Sequence, residues 1–159
     1  MSLVPAAAEF HPRFDALSRT YEYRVWVSPL RDPLRRRRWW RVPRELDLGL
    51  MCKAAESLLG KHDFATFGQP THGSSTVRQV HQASWLRQTE SDYRFTIKAN
   101  AFLYRMVRNL VGTLVAVGQG DLSVDEFEAA LAARDRRHSR PPAPPHGLTL
   151  MAVEYEEEE

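Results

Sequence analysis

The fold class is indicated most clearly by one segment, Ile97-Lys98-Ala99-Asn100-Ala101-Phe102-Leu103-Tyr104-Arg105-Met106-Val107-Arg108-Asn109. An alternating stretch of polar and apolar residues ends in this segment, and a mostly apolar stretch begins in it. The stretch 92–100 places apolar side chains on one side of a strand: Tyr93, Phe95, Ile97 and Ala99. The stretch 101–118 is apolar on most sides, which is typical of a helix packed in a core. Asn100 is predicted to cap that helix.

Two arginines, Arg105 and Arg108, interrupt the predicted buried helix. Burial of a guanidinium is costly unless it meets a carboxylate or a phosphate, and this segment contains no acidic residue. The sequence therefore predicts that at least one of them reaches a charged partner from elsewhere. The alternative is that both side chains extend along the helix surface to solvent.

The stretches before this segment predict one helix among strands. Residues 19–28 alternate as a half-buried strand does, whereas 29–44, with seven arginines and three prolines, predicts a basic loop or irregular edge strand. Asp47 is predicted to start a helix that ends at Gly60. Residues 62–75 predict a turn-rich loop, and 78–88 a weaker strand that forms a hairpin with the next one.

The stretches after it predict a short helix and a final strand. Ser123 and Glu126 form a capping box, 134–145 is a basic, proline-rich loop, and 148–155 predicts a strand that is apolar on both faces. Together these elements predict an α+β fold, a mainly antiparallel sheet with helices packed on one face.

Composition limits the classes of function. The 159 residues suit one domain, and the net charge of +2 conceals a basic body, because five of the last six residues are acidic: Glu154, Glu156, Glu157, Glu158 and Glu159. This imbalance favours a polyanionic partner, although an ordinary solvated surface has the same composition.

The single cysteine, Cys52, predicts a reducing, cytoplasmic setting. The histidine spacing predicts no metal site, and no apolar run is long enough to predict a membrane partner.

Five short motifs occur in an order that resembles the tRNA pseudouridine synthases of the TruA type. They are residues 10–14 (FHPRF), 21–23 (YEY), 60–67 (GKHDFATF), 98–112 (KANAF, then MVRN and a glycine) and 147–150 (GLTL). The resemblance spans residues 9–155 and implies the C-terminal domain of such an enzyme. Residues 1–8 are then a linker remnant or a start foreign to the domain, and 156–159 form an acidic tail.

The resemblance also implies an activity and roles for named residues. Members of the family isomerise uridine in tRNA, especially in the anticodon stem-loop, and rejoin uracil through carbon instead of nitrogen. By motif position Tyr21 resembles the tyrosine that stacks on the flipped base, and Arg108 resembles the arginine that pairs with the nucleophilic aspartate. Leu148 resembles the apolar residue that closes over the base, and substrate binding is assigned to three further residues: Asn100, Arg105 and Arg13.

The family's nucleophilic aspartate is not expected in this chain. It lies in a Gly-Arg-Thr-Asp motif of a preceding domain, and none of the eight aspartates here follows Gly-Arg. We therefore expect the chain to need a missing N-terminal domain and to be inactive alone. We also expect it to bind tRNA and no cofactor, and to form a homodimer as family members do. The alternatives are a non-catalytic RNA-binding module and a dimerisation domain.

Phosphate contacts are predicted for two arginine clusters: Arg35, Arg36, Arg37 and Arg38, and Arg134, Arg136 and Arg137.

Overall fold

A computed structural model describes residues 9–156. The predicted linker remnant 1–8 and residues 157–159 of the predicted acidic tail lie outside the described residues.

Within residues 9–156, six strands form one sheet: β1 (Ser18–Val27), β2 (Trp40–Val42), β3 (Gly60–Asp63), β4 (Val77–Arg87), β5 (Asp92–Ala99) and β6 (Leu148–Glu154). The main strand order is β2-β1-β5-β4-β3, and β6 pairs with β1 as well. The pairing of β1 with β2 is parallel and the others are antiparallel. Because β5 takes one edge of β1, β6 and β2 share the other edge, β6 along the first part of the strand and β2 along the last.

Helices cover one face of this sheet. The described residues contain α1 (Leu48–Glu56), α2 (Met106–Gly118) and α3 (Val124–Ala133). Alternate residues of β1 and β5 point into the core beneath them and are fully buried: Tyr23, Val25, Phe95, Ile97 and Ala99. The prediction of a mainly antiparallel sheet with helices on one face is confirmed.

Local signals set the helix ends. Asp47 accepts a hydrogen bond from the backbone N–H of Leu50 and caps α1, and Ser123 with Glu126 forms the predicted capping box of α3. No helix within residues 9–156 has the length and apolar character that a membrane crossing requires.

The start of α2 differs from the prediction. Residues 101–105 are not helical, Tyr104 donates its backbone N–H to the Gln69 carbonyl at 2.8 Å, and Arg105 adopts a left-handed φ of 60°. Asn100 does not cap the helix, because its Oδ1 accepts the backbone N–H groups of Gln79 and Ala101 at 2.9 and 2.8 Å. The helix therefore begins at Met106, one turn later than the apolar pattern indicates.

Two further predictions are corrected. Helix α1 ends at Glu56 instead of reaching Gly60, because Ser57 closes it by donating Oγ–H to the Ala54 carbonyl. The predicted loop 62–75 overlaps strand β3, which is short and polar and lacks an alternating pattern. The predicted final strand is present as β6, and its apolar residues Leu150 and Met151 are 50 and 52% exposed.

Candidate functional site

A basic pocket surrounds Tyr21 at the start of β1. It has a volume of about 410 Å³, and its walls come from residues 13–21, the loop at 71–72 and the segment 100–104 that leads into α2. Three guanidiniums line it, those of Arg13, Arg19 and Arg78, and no aspartate or glutamate of residues 9–156 does so. We call this cavity the Tyr21 pocket. Its charge suits an anionic ligand.

Tyr21 is half-buried in the wall of this pocket. The edge of its ring meets the ring of Phe102, with centroids 5.0 Å apart and an interplanar angle of 87°. Antiparallel pairing on both edges, with Ile97 of β5 and Leu150 of β6, fixes the backbone of Tyr21. The phenol is thus carried by a rigid part of the sheet, next to the three guanidiniums.

A hydrogen-bonded scaffold joins the chain before β1 to the end of β5. Arg19 donates to the backbone carbonyls of Asn100, at 2.9 Å, and of Arg13. Arg13 donates to the Thr71 hydroxyl at 3.1 Å and lies 3.3 Å from Nδ1 of His72. Asn100 lines the pocket through this scaffold, and its side-chain oxygen is engaged by backbone N–H groups.

Arg78 is a pocket residue that carries no signal in the sequence. Its Nη1 donates to the carbonyls of Ser75 and Val77, at 3.0 and 2.6 Å, while its buried Nε has no partner within the described residues. Burial lowers the pKa of this guanidinium below its ordinary value. Arg78, Arg19 and His72 belong to no recognisable motif, so only the fold brings them to the pocket.

Arg108 lies beside Tyr23, the next core residue after Tyr21 on the same face of β1. Its Nε donates to the Ala143 carbonyl at 2.6 Å, and the Ala143 N–H donates to the Arg108 carbonyl at 2.9 Å. Burial raises the pKa of the Tyr23 phenol, and the positive charge of Arg108 partly opposes that effect. Arg108 is outside the residues that line the Tyr21 pocket, and no carboxylate of residues 9–156 lies within ion-pair distance of it.

The loop that holds Arg108 packs tightly on the core. Tyr23 donates its hydroxyl to the Pro144 carbonyl at 2.6 Å, and a Cβ on Gly147 would lie 2.7 Å from the Tyr23 ring. Leu148 follows at the start of β6, half-buried and opposite Tyr23. Leu148 is therefore the cross-strand partner of Tyr23, the residue whose phenol is also influenced by the charge of Arg108.

Arg105 does not share this location. It is exposed, precedes α2 and holds its guanidinium 5.0 Å from the centroid of the Tyr104 ring. Neither Arg105 nor Arg108 has a carboxylate partner within residues 9–156, so the charged partner that the sequence predicts is not found there.

Three arginines of the two clusters form ion pairs, although two of these three, Arg134 and Arg137, are exposed as well. Arg35 pairs with Asp32 and Asp92, Arg134 pairs with Asp63, and Arg137 pairs with Asp135. The hydrogen bonds from Arg137 hold the pKa of Asp135 down to about 2. The exposed members without an ion pair in the described part of the chain are Arg36, Arg37, Arg38 and Arg136. No group of three or more acidic, histidine or cysteine side chains suited to a metal occurs between residues 9 and 156.

Comparison with known proteins identifies the family. A family model described as tRNA pseudouridine synthase matches residues 54–156. The chain belongs to the tRNA pseudouridine synthase family. It is 44% identical to a tRNA pseudouridine synthase A of Methylacidiphilum infernorum over 151 residues, which cover 92% of this chain and 58% of that relative. It is 43% identical to a tRNA pseudouridine synthase A of Azorhizobium caulinodans, with 96 and 59% of the two chains covered.

The resemblance carried by the five motifs is therefore confirmed. The chain spans less than two thirds of the length of these pseudouridine synthases. One family motif has a local structural role: Asp63 Oδ1 accepts the Ala65 N–H at 3.0 Å and the Thr76 hydroxyl at 2.5 Å, which closes the loop between β3 and β4.

Proposed function

We propose that this chain is the C-terminal half of an enzyme that isomerises uridine to pseudouridine in the anticodon stem-loop of tRNA. In this proposal it binds RNA and completes an active site whose nucleophilic aspartate comes from an N-terminal domain. The observation that carries the proposal is the Tyr21 pocket, which joins an aromatic side chain to three guanidiniums and, within residues 9–156, includes no carboxylate. The isolated chain is then inactive.

The pocket suits a flipped nucleotide. An aromatic ring on a rigid strand offers a stacking surface that any base can use, and the arginines offer charge for the phosphates beside it. In the proposed reaction Tyr21 stacks on the uracil and accepts the proton from the carbon through which the base is rejoined. Arg13, Asn100 and Arg105 remain proposed contacts to the substrate, Arg105 from the rim beside Tyr104.

Arg108 is proposed to pair with the missing aspartate. The hydrogen bond to the Ala143 carbonyl engages its Nε and leaves the terminal nitrogens for a bidentate contact. A guanidinium stays charged at any physiological pH, so it would hold a carboxylate ionised and oriented for attack. Leu148, the cross-strand partner of Tyr23 on β6, would close over the base.

The exposed strand β6 supports the presence of a further domain. Its described pairing is with β1 alone, and it carries exposed apolar side chains at Leu150 and Met151. An apolar edge strand invites pairing with other chains unless it is covered. We propose that the N-terminal domain covers β6, and that the assembled enzyme acts as a cytoplasmic homodimer.

Electrostatic contacts would hold the body of the tRNA. Arg36, Arg37, Arg38 and Arg136 are exposed and free of carboxylate partners in the described residues, so they are stronger candidates for phosphate contacts than Arg35, Arg134 and Arg137.

Complementation in trans tests this proposal. The chain is mixed with the segment of the Methylacidiphilum relative that lies outside the matched region, and tritium release from tRNA with tritiated uridine is measured. We expect release from the mixture and none from either part alone. A mixture that binds tRNA but stays inactive would favour a non-catalytic RNA-binding module, and one that neither binds nor reacts would favour a dimerisation domain.

A further inference from the structure

A second pocket lies at the far end of β1. It has a volume of about 420 Å³, within the usual range for small-ligand sites, and three tryptophans line it: Trp26, Trp39 and Trp40. Trp26 is five residues after Tyr21, so the two sites are about 17 Å apart along the strand and start from opposite faces of it. We call this cavity the tryptophan pocket.

The ring of Trp39 is held in place by charge. The guanidiniums of Arg24, Arg35 and Arg94 lie 5.8, 5.3 and 5.9 Å from its centroid. Such contacts are attractive because the cation meets the negative face of the ring. The Trp39 carbonyl also lies 2.9 Å from Nε2 of His146. Arg35 also lies 5.2 Å from the centroid of the Trp26 ring, so contacts within the fold hold two of the three tryptophans of the aromatic wall.

Acidic side chains neutralise the arginines that hold Trp39. Glu22 lies 2.7 Å from Arg24 and 3.6 Å from Arg94, and Arg35 pairs with Asp32 and Asp92. The charge of this cluster is thus largely satisfied within the fold.

The arginines at the rim of the pocket, unlike those around Trp39, are not neutralised by acidic side chains of the described residues. Arg31, Arg36 and Arg41 line it, and none of them has a carboxylate partner within residues 9–156. Arg31 and Arg36 are exposed, and Arg41 donates only to the backbone carbonyls of Ser28 and Pro29. Among residues 9–156, Asp32 is the one acidic residue that lines the pocket. An ordered aromatic wall with a positive rim suits a ligand that has a flat ring and an anionic group.

We propose that the tryptophan pocket binds one unstacked nucleotide of the RNA, with its base against the tryptophans and its phosphate on Arg31 and Arg36. The inference rests on the proposed function, because it takes the RNA substrate as the source of the nucleotide. Stacking on aromatic side chains tolerates any base, so the site recognises a single-stranded or bulged position by its shape. The pocket would thereby hold the tRNA at a second point, away from the reacting uridine.

Intrinsic fluorescence reports on this pocket directly, because three of the four tryptophans of the chain line it. The chain is titrated with single-stranded oligouridylate and with duplex RNA of equal length, and tryptophan emission is followed beside the anisotropy of labelled RNA. We expect saturable quenching by the single strand and little by the duplex, whose bases are stacked and inaccessible.

Variants distinguish RNA binding in the tryptophan pocket from nonspecific electrostatic attraction to the basic surface. Arg36→Ala removes a rim guanidinium and should weaken single-strand binding roughly tenfold, as expected for a lost charged contact. Arg87→Ala removes the same charge from an exposed position that does not line the pocket, and should cost only about twofold. Trp26→Leu should weaken binding about fivefold or more through lost stacking, while circular dichroism checks its fold.

Equal losses in the Arg36 and Arg87 variants, or RNA binding without quenching of tryptophan emission, would contradict nucleotide binding in this pocket. The complementation assay keeps the two proposals distinct. If the assembled enzyme forms pseudouridine while tryptophan emission does not respond to RNA, only the pocket is wrong. If RNA quenches tryptophan emission in a way that depends on Arg36 while the assembled enzyme forms no pseudouridine, nucleotide binding in the pocket is supported and the proposed function is wrong.

Discussion

Arg108 and Ala143 hold each other through two hydrogen bonds, from Nε to the Ala143 carbonyl at 2.6 Å and from the Ala143 N–H to the Arg108 carbonyl at 2.9 Å. The guanidinium is thus oriented by a loop backbone and not by a carboxylate. A side chain so oriented can meet an incoming aspartate without first breaking an internal ion pair. This relationship links the proline-rich loop to the proposed chemistry.

Arg108→Lys should separate charge from geometry. Lysine keeps the positive charge but loses both the Nε contact and the bidentate fork, so we expect turnover of the complemented enzyme to fall about a hundredfold. Single-turnover tritium release measures the effect. The matched control is Arg87→Lys, at the other end of the sheet, where Arg87 donates to the Thr89 and Glu90 carbonyls. Comparable losses in both variants would contradict the proposed role of Arg108.

Gly112→Ala tests the seating of the same loop. A Cβ on Gly112 would lie 2.2 Å from the Pro141 carbonyl oxygen, so the loop must move or α2 must shift. We expect a loss of roughly 1–3 kcal/mol in the free energy of unfolding, measured by denaturant titration. Gly49→Ala is the control, because its nearest neighbour is the Asp47 side chain at 3.3 Å, and it should cost no more than about 0.5 kcal/mol. Equal stability of the two variants would show that the loop does not rest on Gly112.

Tyr23→Phe should reveal a pH-dependent contribution to stability. At neutral pH the variant loses the hydrogen bond to the Pro144 carbonyl and about 1 kcal/mol of unfolding free energy. Burial raises the folded-state pKa of Tyr23 above its unfolded value near 10. The unfolded chain therefore releases this proton first, and the contribution of Tyr23 is full below about pH 10 and decreases above it, by about 1.4 kcal/mol per pH unit. Unfolding free energies at pH 8 to 11 should show the gap between the two proteins closing, and a constant gap would contradict the burial effect.

The sequence predicts the elements that have strong local signals. The alternation in β1 and β5, the Asp47 cap and the Ser123–Glu126 capping box all act within a few residues, and the structure has each of them. It does not predict the delayed start of α2, because the bond from Tyr104 to Gln69 joins residues far apart in the chain. The exposure of β6 also escapes prediction, since an apolar strand does not specify what covers it.

The candidate site shows the same division. Motif positions lead to Tyr21, which lines the basic pocket, and to Arg108 and Leu148, which lie beside Tyr23 and do not line that pocket. The contributions of Arg19 and Arg78 depend on the register of β1, β4 and β5, and no short motif encodes that register.

Leu150→Lys tests whether β6 faces another domain. Leu150 is 50% exposed, so the change should alter the stability of the isolated chain by no more than about 0.5 kcal/mol. Covering the new charge on association is costly, so the affinity for the complementary segment of the Methylacidiphilum relative should fall roughly tenfold or more. Leu86→Lys, at a 58% exposed position of β4, is the control and should leave that affinity unchanged. Equal affinities of the two variants would place the contact elsewhere.

Tritium release from tRNA by the isolated chain tests the central claim most directly, because the claim assigns the nucleophilic aspartate to residues outside this chain. The complemented mixture serves as the positive control for the tRNA and the assay. We predict no release above background from the isolated chain at concentrations that saturate tRNA. Sustained turnover by the chain alone would contradict the account, since one of its own carboxylates would then have to act as the nucleophile.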